Sequence, residues 1–356
     1  MTKEYSIQKT NGDIVRFSTL SGGKCNNETF FRDLHWQGLS ESEIASLSIQ
    51  ANEIDMDWGA QFTIFPNLHE ISLAAQKTIR LNCFNFSEST IRNVKLIANE
   101  LWFNDGAFAG AKSLEYVTCN GIILDGPHGP HGALTEMLFQ NCSNLKAVHG
   151  TYRGTSTMSL VFQGCFNLEV PLDLYVKYLG FGTFINCSSL KYIHLHNGLV
   201  SLGSSTFKNC ISLEDVYVPD TVTSLGGEAF SGCSKLKRIH LPKNLYSIPS
   251  ATFAECVSLE KVFLSDTITR IEAEAFKGCS SLYRPWFPEK LQAIGKNAFR
   301  GCVSLGEIFL PVSVSDIGED AFADCGNLII RCIAGSYAEQ YARDNHITFI
   351  SQIVEA

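Results

Sequence analysis

The sequence predicts a solenoid, a fold in which short parallel strands stack in successive turns of one coil. Nine cysteines support this prediction because they recur in steps of 23, 22 and then repeatedly 23 residues, at Cys142, Cys165, Cys187, Cys210, Cys233, Cys256, Cys279, Cys302 and Cys325. A phenylalanine stands three residues before each cysteine and a leucine three residues after it. A fixed period of about 20–29 residues is typical of repeat proteins in which each turn contacts its neighbours.

The repeat also has a recognisable sequence. Its fullest copies read EAFSGCSKLKRIHLPKNLYSI and EAFKGCSSLYRPWFPEKLQAI. This pattern resembles the BspA-like class of leucine-rich repeats, whose repeat runs roughly AFxGCxSLxxIxLPxxVxxIGxx, and the resemblance covers residues 139–328 closely. It implies a leucine-rich repeat solenoid with a parallel β-sheet on the concave face, short strands and helical turns on the convex side, and a cap at both ends.

The N-terminal part divides into a cap and divergent repeats. Residues 1–38 show no repeat, and KTNGDIVRF within them predicts a β-hairpin with Asn11 and Gly12 in its turn. We interpret 1–38 as an N-terminal cap over the first open repeat edge. Residues 39–138 keep the repeat frame weakly, as in FTIFPNLHEISL and AFAGAKSLEYV, and carry a turn-rich inserted loop, DGPHGPHG, at 125–132.

Regular 23-residue repeats occupy residues 139–331, and residues 332–356 leave the pattern as a C-terminal cap. In GSYAEQYARDNHITFI, Ser336 and Glu339 predict a capping box at the start of a short helix from Tyr337. Asn345 is predicted to end that helix, and HITFI to form a last strand. Such an ending resembles the C-terminal cap common in the same family.

Within a repeat, alternation separates inward from outward positions. In LKRIHLP, Leu236, Ile239 and Leu241 are predicted to point inward, and Arg238 and His240 outward. The phenylalanines are expected to stack from turn to turn as an aromatic spine. The cysteines form an inward column of their own, and one thiol per turn does not bring four ligands to one ion, as zinc requires. We therefore interpret the repeat cysteines as small apolar core residues.

The outward positions of the same strands predict the functional surface. Arg238, Lys261 and Arg284 place three like charges side by side, which costs stability on a parallel sheet unless an anion offsets it. Large rings follow in the next outward column, and exposed aromatic surface beside arginine is typical of an interface hot spot. The predicted partner-binding residues of the concave face are Tyr192, His194, Tyr217, Arg238, His240, Lys261, Phe263, Arg284, Trp286 and Phe309.

The sequence gives no signal for catalysis. Nucleophile-elbow, zincin, Walker A and dinucleotide motifs are absent, so we expect no enzyme, no catalytic residue, no cofactor and no metal site. His128 and His131 of GPHGPHG, with His149 one turn on, are interpreted as part of an exposed decorated loop rather than as metal ligands. The net charge of −8 gives no electrostatic reason to bind nucleic acid, and no apolar run is long enough for membrane insertion.

Three functions remain open. The first is a protein-binding module; BspA-like repeats occur in bacterial surface proteins linked to adhesion, so the resemblance implies an adhesion or host/cell-interaction protein whose partner is an extracellular-matrix or other cell-surface protein. The second is a glycan-binding solenoid, because rows of tyrosine and tryptophan stack on sugar rings. The third is an intracellular scaffold with no small-molecule ligand.

The expected location depends on the native start of the chain. MTKEYSIQKTNGDIVRF lacks the apolar core of a signal peptide, whereas BspA-like relatives are often secreted or surface-anchored. We expect a cell-surface or secreted protein if a signal peptide was trimmed, and a cytoplasmic one if Met1 is the native start. The sequence leaves the oligomeric state open.

Overall fold

The period of the sequence is also the period of the folded backbone, because strands 23 residues apart pair in parallel. The protein is seen in a computed structural model that describes residues 2–20, 23–56, 62–81, 86–125, 136–153 and 157–353. The chain divides into two units, Met1–Val176 and Lys177–Ala356. Stacked parallel strands build both of them, so the predicted solenoid fold is confirmed. The predicted inserted loop, with His128 and His131, lies outside the described residues from position 126 onward.

A left-handed residue shapes every turn that follows a repeat phenylalanine. The residue directly before each repeat cysteine has a φ between 60° and 76°. This conformation costs an ordinary L-residue about 1–2 kcal/mol, whereas glycine adopts it freely and asparagine or aspartate tolerates it. Glycine or asparagine therefore occupies the position in every turn except those of Glu255 and Asp324.

The first unit contains a nine-stranded sheet. Its strands are β1 (Lys3–Lys9), β2 (Ile14–Thr19), β3 (Lys24–Asn26), β4 (Ile44–Met56), β5 (Glu70–Leu81), β6 (Asn93–Phe103), β7 (Tyr116–Asp125), β8 (Ala147–Tyr152) and β9 (Asp173–Leu174), and helix α1 spans Asn27–Trp36. The order is β2-β1-β4-β5-β6-β7-β8-β9, with β3 paired to β4. The predicted hairpin is confirmed, because β1 and β2 are antiparallel on either side of Asn11 and Gly12.

Strands in the divergent repeats are much longer than those in the regular ones. β4 has 13 residues and β5 has 12, whereas a regular repeat forms separate strands of three and two residues, such as 238–240 and 247–248. Positions in both kinds of turn can be counted from the first leucine, which is Leu68 before β5 and Leu236 in the regular repeat. Counted in this way, β5 covers the positions of both short strands. A register irregularity between Ala51 and Glu53 marks where β4 passes from one segment to the other.

The second unit carries two rows of very short parallel strands. In chain order they are β10 (Tyr178–Leu179), β11 (Ser201–Leu202), β12 (Asp215–Tyr217), β13 (Ser224–Leu225), β14 (Arg238–His240), β15 (Ser247–Ile248), β16 (Lys261–Val262), β17 (Arg270–Ile271), β18 (Ala293–Ile294), β19 (Glu307–Phe309), β20 (Asp316–Ile317), β21 (Ile329–Ile333) and β22 (Thr348–Gln352). Sheets β10-β11-β13 and β15-β17-β18-β20 belong to one row, and sheets β12-β14-β16 and β19-β21-β22 to the other.

The predicted aromatic spine forms inside each unit. In the first, stacked rings lead from Phe62 to Phe162 with centroid separations of 4.6–5.3 Å, and they pass through Phe86, which the sequence analysis did not identify. In the second unit the rings from Phe184 to Phe322 stack at 5.1–5.7 Å. Each ring thus fills the space under the next turn.

Eight of the nine repeat cysteines are buried core residues, as predicted, and Cys325 is half-buried. The Cys210 thiol donates a hydrogen bond to the Phe184 carbonyl of the preceding turn at 3.1 Å, and the same contact recurs along the repeats. Burial raises the pKa of Cys256 to about 12, so the thiol stays protonated at neutral pH. The described cysteines are free thiols.

Helix α2 (Tyr337–Asp344) begins and ends at the predicted residues, since Ser336 accepts a hydrogen bond from the Glu339 N–H and Asn345 is the C-cap. The predicted capping box is wrong in one respect. The Glu339 carboxylate accepts from the Gly335 N–H, one residue earlier than expected, because the Ser336 N–H already donates to the Ile333 carbonyl. The predicted last strand forms as β22, parallel to β21.

Candidate functional site

The ten residues that the sequence assigns to partner binding, from Tyr192 to Phe309, are all exposed in the second unit. We call this set the sheet face. Because side chains alternate along a strand, residues two and four positions after the first leucine of a turn share the outer side. On β14, Arg238 and His240 are exposed and the Ile239 side chain between them is buried, as predicted.

Arg238, one of the three cations of the sheet face, forms an ion pair with Asp215. β14 lies between β12 and β16, so Arg238 has Asp215 on one side and Lys261 on the other. The Arg238 Nε and Nη2 atoms lie 3.3 and 3.5 Å from the two carboxylate oxygens of Asp215. This pair offsets part of the repulsion predicted between Arg238 and Lys261. In the described part of the chain, Lys261 has no carboxylate within ion-pair distance.

Arg284 departs from the predicted column of three adjacent like charges. Its φ of 48° is left-handed, and the described residues 282–285 form no strand. Pro285 lacks the N–H that a ladder hydrogen bond requires, which explains the interruption. The Arg284 guanidinium carbon instead lies 5.3 Å from the centre of the Tyr283 ring, a cation–π contact. The prediction that Arg284 continues the strand column beside Lys261 is therefore wrong.

The rings of the sheet face are exposed, and two pairs of them lie on neighbouring turns. Phe263 is 74% and Trp286 52% exposed, and a backbone bridge joins the two residues. Tyr217 and His240 are register partners whose ring centroids lie 4.5 Å apart with an interplanar angle of 8°. Phe309 on β19 is also exposed. Exposed apolar patches of this kind mark binding surfaces more often than isolated surface hydrophobics do.

Tyr192 and His194 stand apart from the strand ladders. The described residues 190–196 form no strand. The Tyr192 hydroxyl donates to Glu214 Oε2 at 3.4 Å, and the His194 ring centroid lies 4.4 Å from that of His196. Both residues are exposed as predicted, but strand register does not bring them beside Tyr217.

Arg331 adjoins the sheet face although the sequence analysis did not identify it. β19 and β21 pair so that Phe309 lies opposite Arg331, and the Arg331 guanidinium forms an ion pair with the Glu307 carboxylate. The register moves by one residue here, because counting one period forward from Phe309 gives Cys332, which is buried. The period therefore contains no signal for Arg331.

A cavity of about 660 Å³ lies elsewhere in the second unit, lined by residues that include Phe322, Cys325, Tyr341 and His346 but no sheet-face residue. Burial raises the pKa of the Cys325 thiol to about 11, which leaves it protonated and poorly reactive at neutral pH. Among the described residues, no group of three or more His, Cys, Asp or Glu side chains could hold a metal ion. In the same ranges, no helix has the length and apolar character needed to cross a membrane.

The repeats match the model of a known protein family. The profile of the BspA type leucine rich repeat region matches in six copies over residues 132–226 and 200–329, which together make up more than half of the chain. The chain belongs to the BspA-type leucine-rich repeat family. Proteins of this BspA-type repeat family and fold generally mediate protein interactions and are generally non-enzymatic, so the chain is a repeat module of the protein-interaction kind.

A solved structure from Bacteroides ovatus shows the same fold. The BspA-type chain is similar to a leucine-rich repeat protein from Bacteroides ovatus ATCC 8483, with a TM-score of 0.59 and 22% identity over 100% of this chain and 99% of that one. A leucine-rich repeat protein of T. pallidum is 34% identical over 40% of this chain and 57% of its own, with a TM-score of 0.28. A leucine rich cell surface protein from Faecalibacterium prausnitzii A2-165 is 18% identical over 86% and 94%, with a TM-score of 0.33. No curated protein matches the sequence significantly.

Proposed function

We propose that the sheet face binds a protein partner and that the chain is a non-enzymatic adhesion or cell-interaction module. The observation that carries this proposal is the run of exposed rings, Tyr217, His240, Phe263, Trp286 and Phe309, beside cationic side chains. Aromatic and arginine side chains dominate the binding free energy at protein interfaces. Family membership supports the proposal, since these repeats generally serve protein interaction.

The proposed partner is an extracellular-matrix protein or another cell-surface protein with an acidic and apolar surface. The sheet face contributes three cations, Arg238, Lys261 and Arg284, to a chain whose net charge is −8. A local positive patch on an otherwise acidic protein favours a partner of opposite charge and speeds the encounter.

A pull-down with two matched variants tests the proposal. The sheet-face variant combines Arg238→Glu with Trp286→Ala. The control combines Lys290→Glu with Tyr246→Ala, which changes one exposed cation and one exposed ring outside the sheet face. Each full-length protein is immobilised and offered purified extracellular-matrix proteins and a membrane-protein extract, and melting temperatures are measured in parallel.

We expect the sheet-face variant to lose partners that the unmodified chain and the control retain, with unchanged melting temperatures. A hot-spot side chain contributes about 2 kcal/mol or more, so Kd should rise at least about 30-fold if only one of the two replaced side chains is a hot spot. Retention of every partner by the sheet-face variant would contradict the proposal. Binding to a glycan array in place of protein would favour a glycan-binding role.

A further inference from the structure

We propose that the sheet face recognises an acidic polypeptide segment in which a carboxylate stands next to an aromatic or proline ring. This inference rests on the proposed function and specifies the chemistry of the partner. Its centre is the pair of adjacent turns that carry Lys261 with Phe263 and Arg284 with Trp286. In each turn the cation precedes the ring by two residues, and all four side chains are exposed.

Charge pairing distinguishes these two turns from those on either side. On one side Arg238 is paired with Asp215, and on the other Arg331 is paired with Glu307. Lys261 and Arg284, by contrast, have no carboxylate within ion-pair distance among the described residues. The two cations without a carboxylate partner are therefore those next to the Phe263 and Trp286 rings.

The rings supply the apolar half of the site. Phe263 and Trp286 are joined by a backbone bridge, so their side chains leave neighbouring turns about 4.8 Å apart. With exposed fractions of 74% and 52%, both offer a broad apolar surface to a partner ring. A carboxylate that pairs with either Lys261 or Arg284 would hold that ring against this surface.

The acidic side chains around the site argue for a peptide rather than a neutral sugar. Sugar recognition needs carboxylates or amides free to accept hydrogen bonds from hydroxyl groups. Asp215 is engaged by Arg238, Glu307 by Arg331, and Glu214 by the Tyr192 hydroxyl. The Glu260 carboxylate, directly before Lys261, has no ion pair among the described residues, so the two unpaired cations Lys261 and Arg284 leave a net positive charge, which complements an acidic segment.

Selection from a displayed library of random 12-residue peptides on the full-length chain tests the inference. We expect the enriched peptides to carry Asp or Glu within two positions of Phe, Tyr, Trp or Pro. A second selection uses the charge variant Lys261→Glu with Arg284→Glu, and it should enrich Lys or Arg at the same positions. Affinities of the first peptides should fall at least tenfold in the charge variant and in the ring variant Phe263→Ala with Trp286→Ala, but less than twofold in the control Lys290→Glu.

The outcomes separate this inference from the proposed function. If affinity falls in the ring variant but not in the charge variant, the sheet face binds polypeptides without the proposed charge recognition, and the inference is wrong. If neither variant lowers affinity, the binding surface lies elsewhere and both proposals are wrong. Selection without enrichment of Asp or Glu, or binding of glycans through the two rings, also overturns the inference. Should a glutamate variant melt early, Lys261→Gln with Arg284→Gln replaces it, with the same expected loss of affinity.

Discussion

Replacing Phe253 with alanine removes a ring from the interior of the second unit, whereas replacing Phe263 removes the same ring from its surface. Phe253 is fully buried, and its centroid lies 5.7 Å from that of Phe230 and 5.3 Å from that of Phe276. Phe263, ten residues further along, is 74% exposed. The two substitutions are chemically identical and differ in burial alone.

The expected costs follow from that difference. A buried phenylalanine replaced by alanine loses about 3–5 kcal/mol of stability through lost transfer free energy and the cavity left behind. Stacking on both sides places Phe253 toward the upper end, because each aromatic pair adds about 0.5–1.5 kcal/mol. Phe263→Ala should change the free energy of unfolding by no more than about 0.5 kcal/mol, as is usual for surface substitutions.

Urea unfolding of the full-length variants, followed by far-ultraviolet circular dichroism, measures both costs. We expect the transition of the second unit to move to much lower urea for Phe253→Ala and to stay in place for Phe263→Ala. Equal shifts, or a larger shift for Phe263→Ala, would show that the inward and outward columns of the repeat are assigned incorrectly.

Three further predictions concern the backbone, the thiols and a buried ion pair. Glu255→Gly should raise the free energy of unfolding by up to about 1 kcal/mol in the same urea experiment, because Glu255 is an L-residue with a φ of 61°; a loss of stability would contradict the left-handed requirement. Burial raises the pKa of the Cys256 thiol from 9.0 to about 12, so the folded chain keeps a proton that the unfolded chain releases, and this contribution to stability is present below pH 9 and lost as pH rises toward 12. Melting temperatures measured from pH 7 to 11 should therefore fall less steeply in Cys256→Ala than in the unmodified chain, and identical slopes would count against a buried thiol. Lys3→Met should cost about 3–5 kcal/mol in urea unfolding, because Lys3 Nζ lies 2.6 Å from the Asp33 carboxylate with both side chains buried, and removing the lysine leaves a buried charge; a cost below about 1 kcal/mol would mean that the pair is solvated.

The regular repeats could be predicted closely because each position obeys one local constraint. The phenylalanine and leucine columns are buried in every turn and the cysteine column in every turn but that of Cys325, and the residue before the cysteine is left-handed, which favours glycine or asparagine. Upstream, these constraints weaken. Phe86 stacks on Phe62 and Phe108, but it has no cysteine or alanine frame around it that would identify it in the sequence. The fused strands β4–β7 likewise depend on pairing between turns, which a local motif does not encode.

The sequence could predict which residues of the sheet face are exposed. It could not predict their ion pairs or their strand register. Alternation alone gives the outward direction of Arg238 and Phe263. The ion pair between Arg238 and Asp215 depends on side-chain conformations across two turns. The displacement of Arg284 depends on the proline that follows it, and the position of Arg331 on a register change of one residue. These features determine which cations lack a carboxylate partner, and so they determine what the surface is expected to bind.

Hydroxyl-radical footprinting of the full-length chain, alone and with a captured partner, tests the central claim that the sheet face is the binding surface. In the free chain, the exposed Phe263, Trp286 and Tyr246 side chains should all be oxidised. With the partner bound, we expect Phe263 and Trp286 to be protected and Tyr246, which lies outside the sheet face, to stay reactive. Protection of Tyr246 with continued oxidation of Phe263 and Trp286 would contradict the account.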